Sequence, residues 1–196
     1  WGNNLSETYN LASAEMRIAD VTGDNLPDIV RIWGYNWLVW KNTGTSWNAT
    51  PEYWLNGGRT IGYNIPSDQV GQWTVADVTG DGFADIVYAP DHSQWFVWKN
   101  TGSTWSTTKE TWATGLDAKL GEIDTRMMDV NGDGLVDIVR STTTSGTYNT
   151  WRVWKNTGSG FTSVETWINN ANIDASLTTN NVTVQDVNGD GLPDIV

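Results

Sequence analysis

Four short segments hold most of the residues able to do chemistry. Asp20-Val-Thr-Gly-Asp-Asn-Leu-Pro-Asp-Ile-Val30 recurs as Asp77–Val87, Asp129–Val139 and Asp186–Val196. With the first aspartate as position 1, side-chain oxygens stand at positions 1, 3, 5 and 9. These are Asp20, Thr22, Asp24 and Asp28; Asp77, Thr79, Asp81 and Asp85; Asp129, Asn131, Asp133 and Asp137; and Asp186, Asn188, Asp190 and Asp194. Alternate side chains of such a loop point at a common centre, and the carbonyl of position 7 (Leu26, Phe83, Leu135, Leu192) can complete an oxygen cage. Hard oxygen donors in a flexible loop favour Ca²⁺ over Mg²⁺ or a transition metal, so one calcium ion per loop is expected. Three carboxylates so close together would repel one another without a cation. The loops hold 12 of the 23 acidic residues, three in each, and four bound Ca²⁺ would take the formal charge from −12 to −4.

The backbone of the loop is as constrained as its side chains. Position 4 is always glycine, and position 6 is Gly82, Gly134, Gly191 or Asn25. Asparagine is the non-glycine residue that best tolerates a left-handed conformation, so a tight turn is expected at every copy. An EF-hand would need glutamate at position 12, where Arg31, Tyr88 and Arg140 stand, and it would need flanking helices. The remaining alternative is a set of ordinary Asp/Asn/Gly turns between strands.

Short strands must carry these loops. Met16–Asp20, Trp73–Asp77, Thr125–Asp129 and Val182–Asp186 lead in, and Ile-Val leads out, in segments too short for helices. Downstream, Trp37-Leu-Val-Trp-Lys-Asn-Thr-Gly44 recurs as Trp95–Gly102 and Trp151–Gly158, and its closing glycine suits a hairpin turn. A third element follows: Trp47 to Trp54, Trp105 to Trp112, Phe161 to Trp167, with Trp1 to Tyr9 ahead of them all. The following Trp or Phe is expected to start the returning strand. The acidic segments start 57, 52 and 57 residues apart, which gives about four strands per unit and no helical periodicity. The expected fold is all-β, with four-stranded blades of a propeller, which closes with roughly 4–8 of them; a sandwich or a β-solenoid is the alternative. The boundaries expected are an outer strand of a preceding blade at 1–15, blades at 16–71, 72–124 and 125–181, and the start of a further blade at 182–196. The missing part of the ring is expected from the same chain or another copy of it.

The Asp-x-Asn/Thr-Gly-Asp-Gly-x-x-Asp-Ile-Val loops resemble the calcium loops of FG-GAP or VCBS repeats, the blades of integrin-α-type propellers. Asp85-Ile-Val-Tyr-Ala-Pro90 is similar to the Gly-Ala-Pro half of the family's name. The sequence departs from the integrin pattern in lacking a Phe-Gly pair before each loop and in carrying Arg31 or Arg140 where a small residue often sits. The resemblance implies a seven-bladed ring and a mainly non-enzymatic, calcium-binding family that includes secreted lectins, adhesion proteins and the propeller that helps encase toxin-complex cargo.

Composition narrows the partners. A net charge of −12 from 11 basic and 23 acidic residues disfavours nucleic acid and anionic membranes. No apolar run approaches the roughly 20 residues that span a bilayer. Absence of cysteine excludes thiolate chemistry, and the single histidine excludes a multi-histidine metal site. Most of the 14 tryptophans recur at equivalent positions and are expected to pack blades together. Residues without a repeated counterpart, Trp33, Tyr35, Tyr63, Trp73, His92 and Tyr148, are the candidates for ligand contact. The variable connections are expected to carry specificity, with Gly57–Gln72 and the flexible tract Ser141–Tyr148 the longest. No catalytic constellation is recognised, since the clustered aspartates already have a metal role. The expected function is a calcium-stabilised, extracellular or cell-surface recognition or adhesion module that binds a glycan or a surface protein. The alternative is a scaffold or shell propeller within a larger surface or toxin-like protein.

Overall fold

A computed structural model describes residues 15–34, 36–56, 65, 69, 71–144, 147–169, 176–178 and 182–196. Its strands are β1 (Met16–Ala19), β2 (Asp28–Trp33), β3 (Asn36–Trp40), β4 (Glu52–Asn56), β5 (Trp73–Ala76), β6 (Asp85–Tyr88), β7 (Gln94–Trp98) and β8 (Glu110–Thr114). They continue as β9 (Thr125–Met128), β10 (Asp137–Thr144), β11 (Thr147–Trp154), β12 (Glu165–Asn169), β13 (Val184–Gln185) and β14 (Asp194–Ile195). They form three antiparallel four-stranded sheets, β1–β4, β5–β8 and β9–β12, each in sequence order, and the pair β13–β14. These are successive propeller blades, and no α-helix occurs among the described residues.

Why the blades stack is visible in their second and third strands. Strands of an isolated half-solvated sheet alternate buried and exposed residues, but β6 is buried at every position and β3 and β7 nearly so. In the second blade both faces are covered because the first and third sheets pack against them. The two tryptophans of β7 serve opposite neighbours. Trp98 packs toward the first blade with Trp37, Trp73 and Trp105, while Trp95 packs toward the third with Ile138, Trp154 and Phe161. Trp37 meets Trp73 edge-on with ring centres 5.0 Å apart.

Backbone polar groups tie blade to blade as well. Ala84 N–H donates to Asp20 O at 3.0 Å. Asn100 Nδ2, at the end of the Trp-x-Val-Trp-Lys-Asn run, donates to Val21 O and Ala84 O, both at 2.9 Å. Asn156 repeats this one blade later, to Val78 O at 3.0 Å and Val136 O at 3.1 Å. Apolar contacts follow the same path, because position 7 of each loop lies on position 4 of the loop before it. Gly23 (φ 75°) faces the Phe83 ring so closely that a Cβ there would stand 2.5 Å from a ring carbon.

Two expectations about connections need correcting. The tract Ser141–Tyr148, expected to be flexible, is strand over its described residues: 141–144 belong to β10 and 147–148 to β11, with Thr142 paired to Thr150 and Thr143 to Tyr148. Its threonines are β-branched and suit an extended backbone. Nor does the returning strand start at Trp47, Trp105 or Phe161. Each of these makes one isolated bridge, to Asn42, Asn100 and Asn156, and β4, β8 and β12 begin four or five residues later. Residues Trp1 to Tyr9 lie outside the described residues.

Candidate functional site

Each acidic loop joins the first and second strands of a blade, and its aspartates organise the turn. Asp20 accepts from Gly23 N–H and Asn25 N–H, both at 2.7 Å. Asp77, Asp129 and Asp186 bind the amides of positions 4 and 6 in the same way. Position 5 accepts from the amide of position 7: Asp24 from Leu26, Asp81 from Phe83, Asp133 from Leu135 and Asp190 from Leu192. The left-handed turn is present, with Asn25 at φ 65° where the other loops have glycine.

Position 9 has a different task. Asp28, Asp85 and Asp137 are fully buried. One oxygen of each accepts from the amide of position 2 (Val21, Val78, Val130), and the other from Asn42, Asn100 or Asn156 at 2.7 Å. Burial raises the pKa of all three, against these hydrogen bonds, and the neighbouring loop aspartates push it further. Asp85 is pushed up to about 6. Asp194 receives Val187 N–H at 3.0 Å. Exposed Asp186 is lowered instead, by the amides of Gly189 and Gly191.

The position 3 side chains join the cluster. Thr79 Oγ1 stands 3.4 Å from Asp77 and 3.2 Å from Asp85, and Asn131 Nδ2 donates to Asp133 Oδ2 at 2.9 Å. Thr22 Oγ1 is 3.5 Å from Asp20, and Asn188 Nδ2 is 3.5 Å from Asp194. Among the described residues, no three carboxylate or imidazole groups already converge on a metal position. The donor set nevertheless fits a hard cation. The ion pairs of the described residues run through Glu15, Glu52, Glu110, Asp117, Glu122, Asp124 and Glu165, and the loop aspartates take no part in them. Their negative charge is met mainly by backbone amides, with Thr79 Oγ1 and Asn131 Nδ2 as side-chain donors.

The ligand candidates among the described residues, Trp33, Trp73 and His92, do not gather in one place. Trp33 ends β2 and is 55% exposed. His92 lies in the β6–β7 hairpin with Nε2 3.0 Å from Glu122. Trp73 must be withdrawn: it is 1% exposed, inside the core between the first two blades. It opens β5 at a place that Met16 and Thr125, also buried, occupy in the neighbouring blades, so its position is repeated although its residue type is not. Tyr35 and Tyr63 lie outside the described residues, as does the side chain of Tyr148.

A cleft of about 460 Å³ opens between the second and third blades, bordered by Trp112, Asp117, Arg152, Phe161, Thr162 and Ser163. Asp117 Oδ2 pairs with Arg152 at 2.6 Å and Oδ1 with Arg140 at 3.1 Å. Arg140 also holds Asp124 at 3.2 Å and thereby fastens the connection after β8 to the third blade. A search for unrepeated aromatics misses this cleft. Its signal in the sequence is a break in register, since Arg152 stands where the equivalent runs carry Leu38 and Phe96.

The repeats can now be compared with known proteins. The family model for the FG-GAP-like repeat matches residues 77–140 and 129–196. No curated protein matches. Among solved structures, a Tc holotoxin pore of Photorhabdus luminescens superposes with a TM-score of 0.70 at 22% identity, over 94% of this chain and 8% of that one. A lectin of Agrocybe aegerita, described as recognising non-reducing terminal N-acetylglucosamine, superposes with a TM-score of 0.65 at 24% identity. That match covers 92% of this chain and 46% of the lectin. The chain thus spans less than half of either neighbour, and at these identities the likeness is one of fold. With matches covering more than half its length, and with the repeated aspartate loops in the place that the fold gives them, the chain belongs to the FG-GAP-like repeat family.

Proposed function

We propose that this chain is a calcium-stabilised, extracellular recognition module that binds glycan through the cleft between its second and third blades. The observation that carries the reading is the cleft itself. It offers a carboxylate, a guanidinium and two hydroxyls beside the half-buried ring of Phe161, a combination suited to the hydroxyls and the apolar face of a sugar. The lectin among the structural neighbours supports the same reading. Calcium would be held by positions 1, 3, 5 and 9 of each loop, with the carbonyl of position 7. Bound there, it would neutralise the clustered charge and stiffen the turn between the first two strands of each blade. The chain's own residues do the rest: Asp28, Asp85 and Asp137 clamp the loop to the third strand, and Asn100 and Asn156 clamp it to the next blade. The module binds and does not catalyse.

A second reading is favoured by the Tc holotoxin match, which covers 94% of the chain. In it the blades form part of a scaffold or shell, and no glycan is recognised. A glycan array separates the two. Specific binding, competed by free sugar, is expected of the first reading, and an array without any such signal leaves the second.

A further inference from the structure

The four acidic loops are of two chemical kinds at position 3. Thr22 and Thr79 fill it in the first two, Asn131 and Asn188 in the last two, and each of these asparagines is followed by glycine. An Asn-Gly pair can react with itself, because a glycine nitrogen has no side chain beside it to hinder its approach to the asparagine Cγ. The loop around Asn131 supplies the partners that this reaction needs. Gly132 N–H donates to Asp129 Oδ1 at 2.8 Å, so a carboxylate stands ready to take the proton of the attacking nitrogen. Asp133 N–H donates to Asn131 Oδ1 at 2.8 Å, where negative charge develops when Cγ is attacked. The loop of Asn188 repeats both contacts, with Gly189 N–H to Asp186 Oδ1 at 2.6 Å and Asp190 N–H to Asn188 Oδ1 at 2.8 Å. Both asparagines and both glycines are exposed to the water that completes the reaction.

We infer that Asn131 and Asn188 are sites of spontaneous deamidation, held off while calcium fills the loop. The glycine nitrogen passes its proton through the neighbouring carboxylate to solvent and bonds to Cγ. The Cγ–Nδ2 bond breaks, and Nδ2 leaves as ammonia. Water then opens the cyclic imide: cleavage of the nitrogen's bond to Cγ leaves aspartate, and cleavage of its bond to the main-chain carbonyl carbon leaves isoaspartate. Water enters, ammonia leaves, and nothing is oxidised or reduced. The inference rests on the calcium reading above and adds what the loops do without the ion. The same oxygens, of Asp129 and Asn131 or of Asp186 and Asn188, would be its ligands, which removes the base and fixes the amide. Packing ranks the two sites. A Cβ at Gly132 would stand 3.0 Å from Leu192 of the following loop, whereas nothing described lies within 4 Å of one at Gly189. Asn131 Nδ2 is held by Asp133 Oδ2 at 2.9 Å, and Asn188 Nδ2 reaches Asp194 Oδ1 only at 3.5 Å. Asn188 is the faster site.

The test ages the full chain in calcium or in EDTA, at a temperature below its melting transition in either, and follows each site by peptide mass spectrometry as the mass gain of NH2 replaced by OH. The third Asn-Gly pair of the sequence, Asn56-Gly57, starts where β4 ends, at the opposite end of the blade from the loops, and serves as the reference. Chelation should speed conversion at Asn131 and Asn188 by about tenfold or more, with Asn188 ahead, and leave Asn56 unchanged. Aged wild type given calcium again should melt lower than fresh protein, because isoaspartate lengthens the main chain of the loop. The double variant Asn131→Thr with Asn188→Thr, which carries the residue of the first two loops, should keep its melting temperature through the same treatment. Equal rates with and without calcium, an equal rise at all three pairs, or an equal loss in the double variant would overturn the inference, while calcium found by elemental analysis would leave the metal reading standing. A protein without bound calcium would overturn both.

Discussion

The two ends of a blade follow opposite rules. At one end lie the acidic loops and the turns after the third strand, where the same residue types recur in each complete blade and make the same hydrogen bonds to within a few tenths of an ångström. At the other end lie the β2–β3-type hairpins and the connections between blades, where Trp33, His92, the long β10–β11 hairpin and the Asp117–Asp124 segment have no counterparts. The antiparallel order of each sheet puts these two sets of connections at opposite ends. Repetition marks what every blade needs in order to stack, and deviation marks what one place alone does. The cleft between the second and third blades arises where a deviation cuts into the repeated packing itself.

Removing metal should affect the repeated end most. A site filled only in the folded state contributes about 2.7 kcal/mol at a free concentration about 100-fold above Kd, so four such sites together should make chelation lower the melting temperature sharply. Elemental analysis finding no calcium, with a melting curve indifferent to EDTA, would remove calcium from the account. Trp98→Ala, which empties the packing between the first two blades, should cost roughly 3–5 kcal/mol in denaturant unfolding. A cost under about 1 kcal/mol would mean that the blades do not rely on this ring.

Smaller effects separate the two ends further. Asn100→Ala leaves Val21 O and Ala84 O without its amide and should cost on the order of 1–3 kcal/mol. Asn42→Ala, whose side-chain NH2 among the described residues donates to Pro27 O of its own blade, should cost less, and equal losses would deny the link between blades. In chelator, the raised pKa of Asp85 has a definite sign. The folded state holds that proton up to about pH 6 and the unfolded chain only to about 3.8, so the stabilisation is complete below 3.8 and is lost as pH rises through 6. The stability of the wild type relative to Asp85→Asn should therefore rise between pH 7 and pH 5, and a flat or falling difference would contradict it. Smallest of all, Trp33→Ala at the variable end should change stability by less than about 0.5 kcal/mol.

Much of the repeated end was legible in the sequence because local chemistry dictates it. Asn25 at position 6 announced a left-handed residue, and Gly44, Gly102 and Gly158 a turn, and all have positive φ. The recurring tryptophans announced the packing between blades, which Trp37, Trp95 and Trp98 supply. The variable end was less legible, for two physical reasons. Trp73 looked individual because its neighbours at the same strand position are Met16 and Thr125, yet the core fills that position with whatever volume the adjoining blade leaves. Asp117 and Arg152 lie 35 residues apart, and only the stacking of one blade on the next brings them together.

The seat that each acidic loop offers to the next carries a consequence for the order of synthesis. Phe83 rests on Gly23, Leu135 on Gly80 and Leu192 on Gly132, always a later residue on an earlier glycine. A chain leaving the ribosome therefore exposes the Gly23 seat until some 60 residues more have emerged, and the arrival of Phe83 opens the next vacancy rather than closing the series. Folding is thus handed forward along the chain, with the newest blade always waiting for its successor.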